Sequence, residues 1–321
     1  MFRKARTGLR LLPLGIALVA GTYATPLWSK DSPDCSAGEH AAKHVSQVSK
    51  ERFSVEVSGA GPDVILIPGL GTPRAVWNET VATFGGCYRL HSVQLRGFGD
   101  AAGINASGPV LQPFVDELAE YIAMIGKSSG KAPMVVGHSM GGLAGLKLAK
   151  ARPELVSRLM MIDALPNFAA LIPGLGAAEA STIERTAAQM RSIIAARYGK
   201  EPNPAEIKAS VEGMSLNPTF GGTMMQWSQS ADQRVVAQIV YEDLVADMRP
   251  ELPSVSSPVL VLAAWHSGMP FTEMQVQGFF QRQFAGLPSY DVKTVAGSAH
   301  FIMLDQPEKF NSELAEFLAK R

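Results

Sequence analysis

Residues 133–149 read PMVVGHSMGGLAGLKLA, and the six at 137–142, GHSMGG, decide the fold. Val135 and Val136 end an apolar run of strand type, and Leu143, Leu146 and Leu148 begin a helix. Between them Gly137-His138-Ser139-Met140-Gly141 forms G-x-S-x-G at a strand-to-helix turn. A serine held there adopts a tight, strained backbone with its Oγ exposed, and the flanking glycines remove Cβ atoms that would clash. The helix that follows directs its first N–H groups toward developing negative charge. The five-residue pattern alone arises by chance, but between a buried strand and a helix it marks Ser139 as a candidate nucleophile.

Outward from this turn, strand-like and helix-like pieces alternate. FSVEVSG (53–59), DVILIPG (63–69), RLHSVQL (89–95), SRLMMIDA (157–164), SPVLVLAAW (257–265) and YDVKTVAG (290–297) read as further strands. The continuous apolar run in DVILIPG suits a strand covered on both faces. Residues 110–126 place Phe114, Leu118, Ile122 and Ile125 on one helical stripe, and 306–319 do the same with Phe310, Leu314, Phe317 and Leu318. This alternation predicts an α/β fold with a mostly parallel sheet and helices on both faces. Residues 164–252 break the pattern. They hold no convincing strand and at least three helical pieces, one of them opened by a capping-box pattern, Ser230 with Gln233. They read as a helical cap over the strand ends. The hexapeptide LIPGLG occurs at 66–71 and again at 171–176, but only the first copy ends a buried strand. The flanks share nothing, so the second is coincidence and not a repeat.

The chain of 321 residues is 46% hydrophobic and 18% charged, a globular composition with a large core. Arg3, Lys4, Arg6 and Arg10 precede the apolar stretch LLPLGIALVAGTYA, and Thr22 and Ala24 supply small residues at a cleavage position. Residues 1–24 therefore read as a signal peptide of an exported (periplasmic or secreted) protein, with an uncleaved N-terminal anchor as the alternative. Membrane contact is expected only through this segment. Its removal leaves the remainder acidic by four charges, and no basic run invites nucleic acid. Export would put Cys35 and Cys87 in an oxidising compartment, where they either bridge or remain two thiols.

A serine hydroxyl needs a base, and GSAHFIMLDQPEKF (297–310) supplies His300 directly after the last strand. Histidine suits the task because its pKa lies near working pH. Two backbone N–H groups must hold the oxyanion. Met140, after the nucleophile, offers one, and Leu70, in the loop after an earlier strand, offers the other. His138 neighbours Ser139 but points elsewhere if Ser139 sits at the elbow. His91 lies inside a strand as a packed core residue. His40 and His44 have a metal-like spacing but no third ligand, so they read as a solvated face and no metal is expected.

PGLG, RGFG, GHSMGG and GSAHFIMLDQPEKF, in that order, resemble the α/β-hydrolase superfamily over about residues 52–320. The resemblance implies an eight-stranded sheet, Ser–acid–His catalysis, no cofactor and a cap between strands six and seven. The expected boundaries are 1–24 signal peptide, 25–51 N-terminal segment, 52–163 with 253–321 core, and 164–252 cap. One departure matters. Relatives usually carry the acid after strand seven, yet PVLVLAAWHSGMP (258–270) holds none. Some branches place it after strand six, where Asp163 stands; Glu273 and Asp247 remain the alternatives.

The cap is rich in methionine, which adapts to irregular apolar ligands. Phe168, Met224, Met225 and Trp227 are candidates for the wall of a substrate pocket, against the competing role of plain cap packing. The expected activity is that of a serine hydrolase, a carboxylic-ester hydrolase acting through an acyl-enzyme on a small, partly apolar substrate. Amidase, lactonase, perhydrolase or C–C hydrolase chemistry on the same triad is the first alternative, and a non-catalytic ligand-binding protein is the second.

Overall fold

The computed structural model describes Cys35 and residues 46–320. The expected signal segment, and His40 and His44, lie outside the described residues. Among the described residues no helix is long and apolar enough to cross a membrane.

The aliphatic runs assemble into one sheet because each has two apolar faces to cover. The strands are β1 (Ser46–Ser49), β2 (Phe53–Gly59), β3 (Asp63–Ile67), β4 (Arg89–Leu95), β5 (Met134–His138), β6 (Arg158–Ile162), β7 (Val259–Trp265) and β8 (Tyr290–Ala296). Their spatial order is β1-β2-β4-β3-β5-β6-β7-β8. The first two pairings, β1 with β2 and β2 with β4, are antiparallel, and all others are parallel. β3 is buried at every position. Its Ile65 and Ile67 enter one apolar core while Val64 and Leu66 enter the other, as the two-residue period of a strand requires.

Helices α1 (Asn78–Phe84), α2 (Leu111–Ser129) and α3 (Met140–Ala151) precede β6. Four more, α4 (Ala180–Ala195), α5 (Pro204–Val211), α6 (Gly221–Ser230) and α7 (Gln233–Val245), lie between β6 and β7. α8 (Glu273–Phe284), the short α9 (Ile302–Asp305) and α10 (Pro307–Ala319) complete the chain. Phe114 and Leu118 of α2, Leu143 and Leu146 of α3 and Phe284 of α8 fill the core on one face of the sheet. Phe84 of α1 and Phe310, Leu314 and Phe317 of α10 fill the core on the other.

Two details differ from the sequence reading. The sheet begins at Ser46, not at residue 52. β1 is four residues long and exposed at three of them, so it carries no hydrophobic alternation to detect. The cap of α7 is Asp232, whose side chain accepts Arg234 N–H at 2.9 Å, and not Ser230 with Gln233. Ser230 still closes α6, because Ala231 is drawn into a bridge with Phe98 and breaks the chain between the helices.

Polar groups at the start of β3 and β4 are internally satisfied. Asp63 accepts from Arg89 and, at 2.8 Å, from His91 Nε2, while His91 Nδ1 meets the Tyr121 hydroxyl at 2.6 Å. Burial alone would raise the Asp63 carboxyl, but the hydrogen bonds from His91 and Arg89 overcome it and hold it below the usual carboxylate range. His91 is the packed core residue its strand position implied.

Cys35 and Cys87 form a disulfide across 52 residues of sequence. Gly86 N–H donates to Cys35 O at 3.0 Å beside it. Closing a loop of this length restricts the unfolded chain. Replacing both cysteines with serine should lower stability by about 2–4 kcal/mol in denaturant unfolding, and alkylation of the unreduced, denatured wild type should find no free thiol.

Candidate active site

Four chain segments reach the C-terminal edge of the parallel strands: Pro68–Gly71 after β3, Ser139 after β5, Asp163 after β6 and Gly297–Phe301 after β8. Ser139 has φ 53° and ψ −124°, a conformation strained for any residue with a Cβ. Two neighbours make the turn possible. A Cβ on Gly137 would strike the carbonyl of Gly141, and one on Gly141 would strike the carbonyls of Ile67 and Pro68. The elbow therefore packs backbone to backbone against the loop after β3. Ser139 O accepts Gly142 N–H at 2.8 Å and Leu143 N–H at 3.2 Å, so α3 starts immediately behind it. Neither the Leu70 nor the Met140 amide finds an acceptor among the described residues. Met140 follows the serine directly, and a Cβ on Gly69, the residue before Leu70, would meet the Ser139 Cβ at 3.1 Å.

His300 Nδ1–H donates to Asp163 Oδ2 at 2.7 Å. A carboxylate only accepts, so the proton resides on Nδ1 and Nε2 is left to act as a base. Asp163 is itself fixed from two sides. Its N–H donates to Leu262 O at 2.7 Å, and its Oδ1 accepts Ala264 N–H at 3.1 Å. β7 thus supplies the backbone that orients an acid from β6, and the loop after β7 has no need of one. In that loop His266 Nδ1 accepts Gly268 N–H at 3.2 Å and Trp265 Nε1–H donates to Phe271 O at 2.9 Å. The two alternative acids are engaged elsewhere. Glu273 accepts the Thr294 hydroxyl at 2.6 Å, and Asp247 holds Arg249 at 2.6 and 2.8 Å.

His138 belongs to the site in a way its sequence position did not reveal. It is fully buried, and its Nε2–H donates to His300 O at 3.0 Å. The two rings lie 4.5 Å apart. Burial, and next the charge that His300 can carry, push the His138 pKa well below its ordinary value, so the ring stays neutral. Its partner lies 162 residues away, which no local pattern could signal.

Beside Leu70 the cap walls a half-open chamber of about 430 Å³. Met214, Met224, Trp227, Val236 and Phe301 are among its apolar lining. Of the four residues anticipated for such a wall, Met224 and Trp227 line it. Met225 does not: successive helical positions point about 100° apart, and only Met224 is buried. Phe168 packs instead against the core between the sheet and α2. Among the described residues no group of three His, Cys, Asp or Glu is placed to hold a metal.

A family model described as alpha/beta hydrolase family matches residues 64–313, and the chain belongs to that family and is a hydrolase. A pimeloyl-[acyl-carrier protein] methyl ester esterase of Vibrio campbellii is 25% identical over 269 residues, spanning 81% of this chain and 96% of its own. A thermophilic esterase from Thermogutta terrifontis superposes with TM-score 0.67 at 18% identity, over 85% of this chain and 98% of its own. An enol-lactonase from Burkholderia xenovorans does so with TM-score 0.63 at 16% identity, over 86% and 100%. At such identities these two structures speak for the fold alone.

If Asp163 orients His300, Asp163→Asn should lower kcat by about two to four powers of ten with little change in melting temperature. Glu273→Gln and Asp247→Asn, assayed in parallel, should stay near wild type.

Proposed function

We propose that the protein is an exported serine hydrolase that cleaves carboxylic esters of small, partly apolar substrates through an acyl-enzyme. The observation that carries this reading is the Asp163–His300 hydrogen bond at 2.7 Å, set at the same sheet edge as the strained Ser139 elbow. Ser139 Oγ attacks the ester carbonyl while His300 Nε2 takes its proton. Asp163 fixes the imidazole tautomer and stabilises the imidazolium that forms. The Leu70 and Met140 N–H groups receive the oxyanion; losing one such donor costs about 2.7–4 kcal/mol in the transition state. The alkoxide leaves with the proton from His300, and water, activated by the same ring, releases the acid.

The apolar chamber beside Leu70 suits the acyl part of such an ester. The name of the similar Vibrio campbellii esterase leans the same way. The ligand-binding alternative drew on the missing acid after β7, and Asp163 answers that objection from β6. Export is supported by the basic and apolar character of residues 1–24 and by the Cys35–Cys87 bridge, which an oxidising compartment favours.

A fluorophosphonate probe should label the wild type once, at Ser139. A series of p-nitrophenyl esters should show turnover that depends on acyl length. Ser139→Ala should abolish labelling and lower kcat by roughly six powers of ten with the fold intact. Labelling that survives in Ser139→Ala would point to another nucleophile and sink the assignment.

A further inference from the structure

Asp305 lies five residues after His300, at the end of α9. Its carboxylate gathers donors from two parts of the molecule that the sequence keeps far apart. Oδ2 accepts Ala299 N–H at 2.7 Å, in the turn that carries His300. Oδ1 accepts Leu216 N–H at 2.9 Å, Asn217 N–H at 3.2 Å and the Ser215 hydroxyl. Two more bonds cross the same junction: Phe301 N–H to Met214 O at 3.0 Å and Asn217 Nδ2–H to Leu304 O at 3.3 Å.

Residues 214–217 belong to the cap, in the link between α5 and α6. Val211 and Met214 line the apolar chamber. One carboxylate therefore joins the chamber wall to the turn bearing the base. Only an acceptor with about four lone-pair sites can serve four donors at once. An amide at this position would turn an NH₂ toward N–H groups and break the junction on one side. α5 buries no residue fully, and Val211 at its end packs against the apolar core, so this junction adds a polar hold on that limb of the cap.

We propose that Asp305 is a positioning residue that couples occupation of the chamber to the seating of His300. An acyl chain long enough to press on Val211 and Met214 fixes the 214–217 link, and Asp305 passes that constraint to Ala299 and so to His300. Binding energy from the non-reacting end of the substrate is thereby expressed in kcat, not only in KM. The inference rests on the ester-hydrolase reading, and two measurements keep the two separable.

The first compares p-nitrophenyl acetate with the hexanoate in wild type and Asp305→Asn. The wild type should show the higher kcat for hexanoate. Asp305→Asn should lose about tenfold in kcat for hexanoate and much less for acetate, removing the length dependence. An equal fall for both esters is the mark of a merely structural role and overturns the coupling. The second measures amide hydrogen exchange in Ser215→Ala without substrate. Ser215 bonds Asp305 but none of residues 299–301, so faster exchange at those amides is the expected sign of transmission, and unchanged exchange overturns it. If the wild type cleaves neither ester and takes up no fluorophosphonate, the ester-hydrolase reading fails, and the exchange experiment alone decides the coupling.

Discussion

Two residues without the freedom of glycine are forced to positive φ in the described structure, Ser139 at 53° and Asp163 at 45°, and the site depends on both. The cause is the same at each. Both are the first residue beyond a parallel strand, and both still donate their N–H to a neighbouring strand, Ser139 to Ile162 O at 2.9 Å and Asp163 to Leu262 O at 2.7 Å. The sheet holds the amide while the chain has to leave the sheet, so the backbone takes up the difference. Such conformations cost about 1–3 kcal/mol each. They persist because β5 and β6 sit in the middle of the sheet, buried at every position but Arg158. What the strain yields is direction: the Ser139 and Asp163 side chains stand at the sheet edge instead of continuing its alternation.

The sequence was most legible where the physics is local. The glycines around Ser139 and the two-sided apolar runs are set within a few residues, so the elbow and the parallel strands could be placed without coordinates. The place of His300 between a strand and a helix could be read for the same reason. Contacts over long distances were not. The orientation of Asp163 depends on Ala264, 101 residues on, and the role of His138 depends on a carbonyl 162 residues on. Polar, short or exposed elements were also silent, as β1 shows. Choosing Met224 over Met225 needed the rotation of α6 against the chamber, which a methionine-rich composition does not contain.

The cap is held unevenly. α7 buries Val235, Ile239 and Leu244, while α5 buries no residue fully. α7 also carries the buried Asp243, whose carboxyl is pushed well above its ordinary range by burial first and by neighbouring Glu242 second. The same region pins the two ends of the cap together, Met248 N–H donating to Pro166 O at 2.8 Å. One side of the cap is thus continuous with the core through α7, and the α5 limb is tethered by Val211 against the apolar core and by the bonds to Asp305 in the turn after His300. Local openings of low free energy are expected on the tethered side.

Glu242 of α7 accepts the N–H groups of Val110 at 2.9 Å and Leu111 at 2.6 Å, at the start of α2, where Val110 has no capping side chain of its own. A helix N-terminus lacks internal acceptors and favours a nearby negative charge. The cap is an insertion as far as the order of the chain goes, yet it completes a helix that packs under the sheet. That limits how freely such a module can be exchanged. A chimera that kept this core and took its lid from another hydrolase would inherit a new specificity together with an unfinished helix. Lid shuffling in this scaffold must therefore carry the α2 cap along, or rebuild it at Val110.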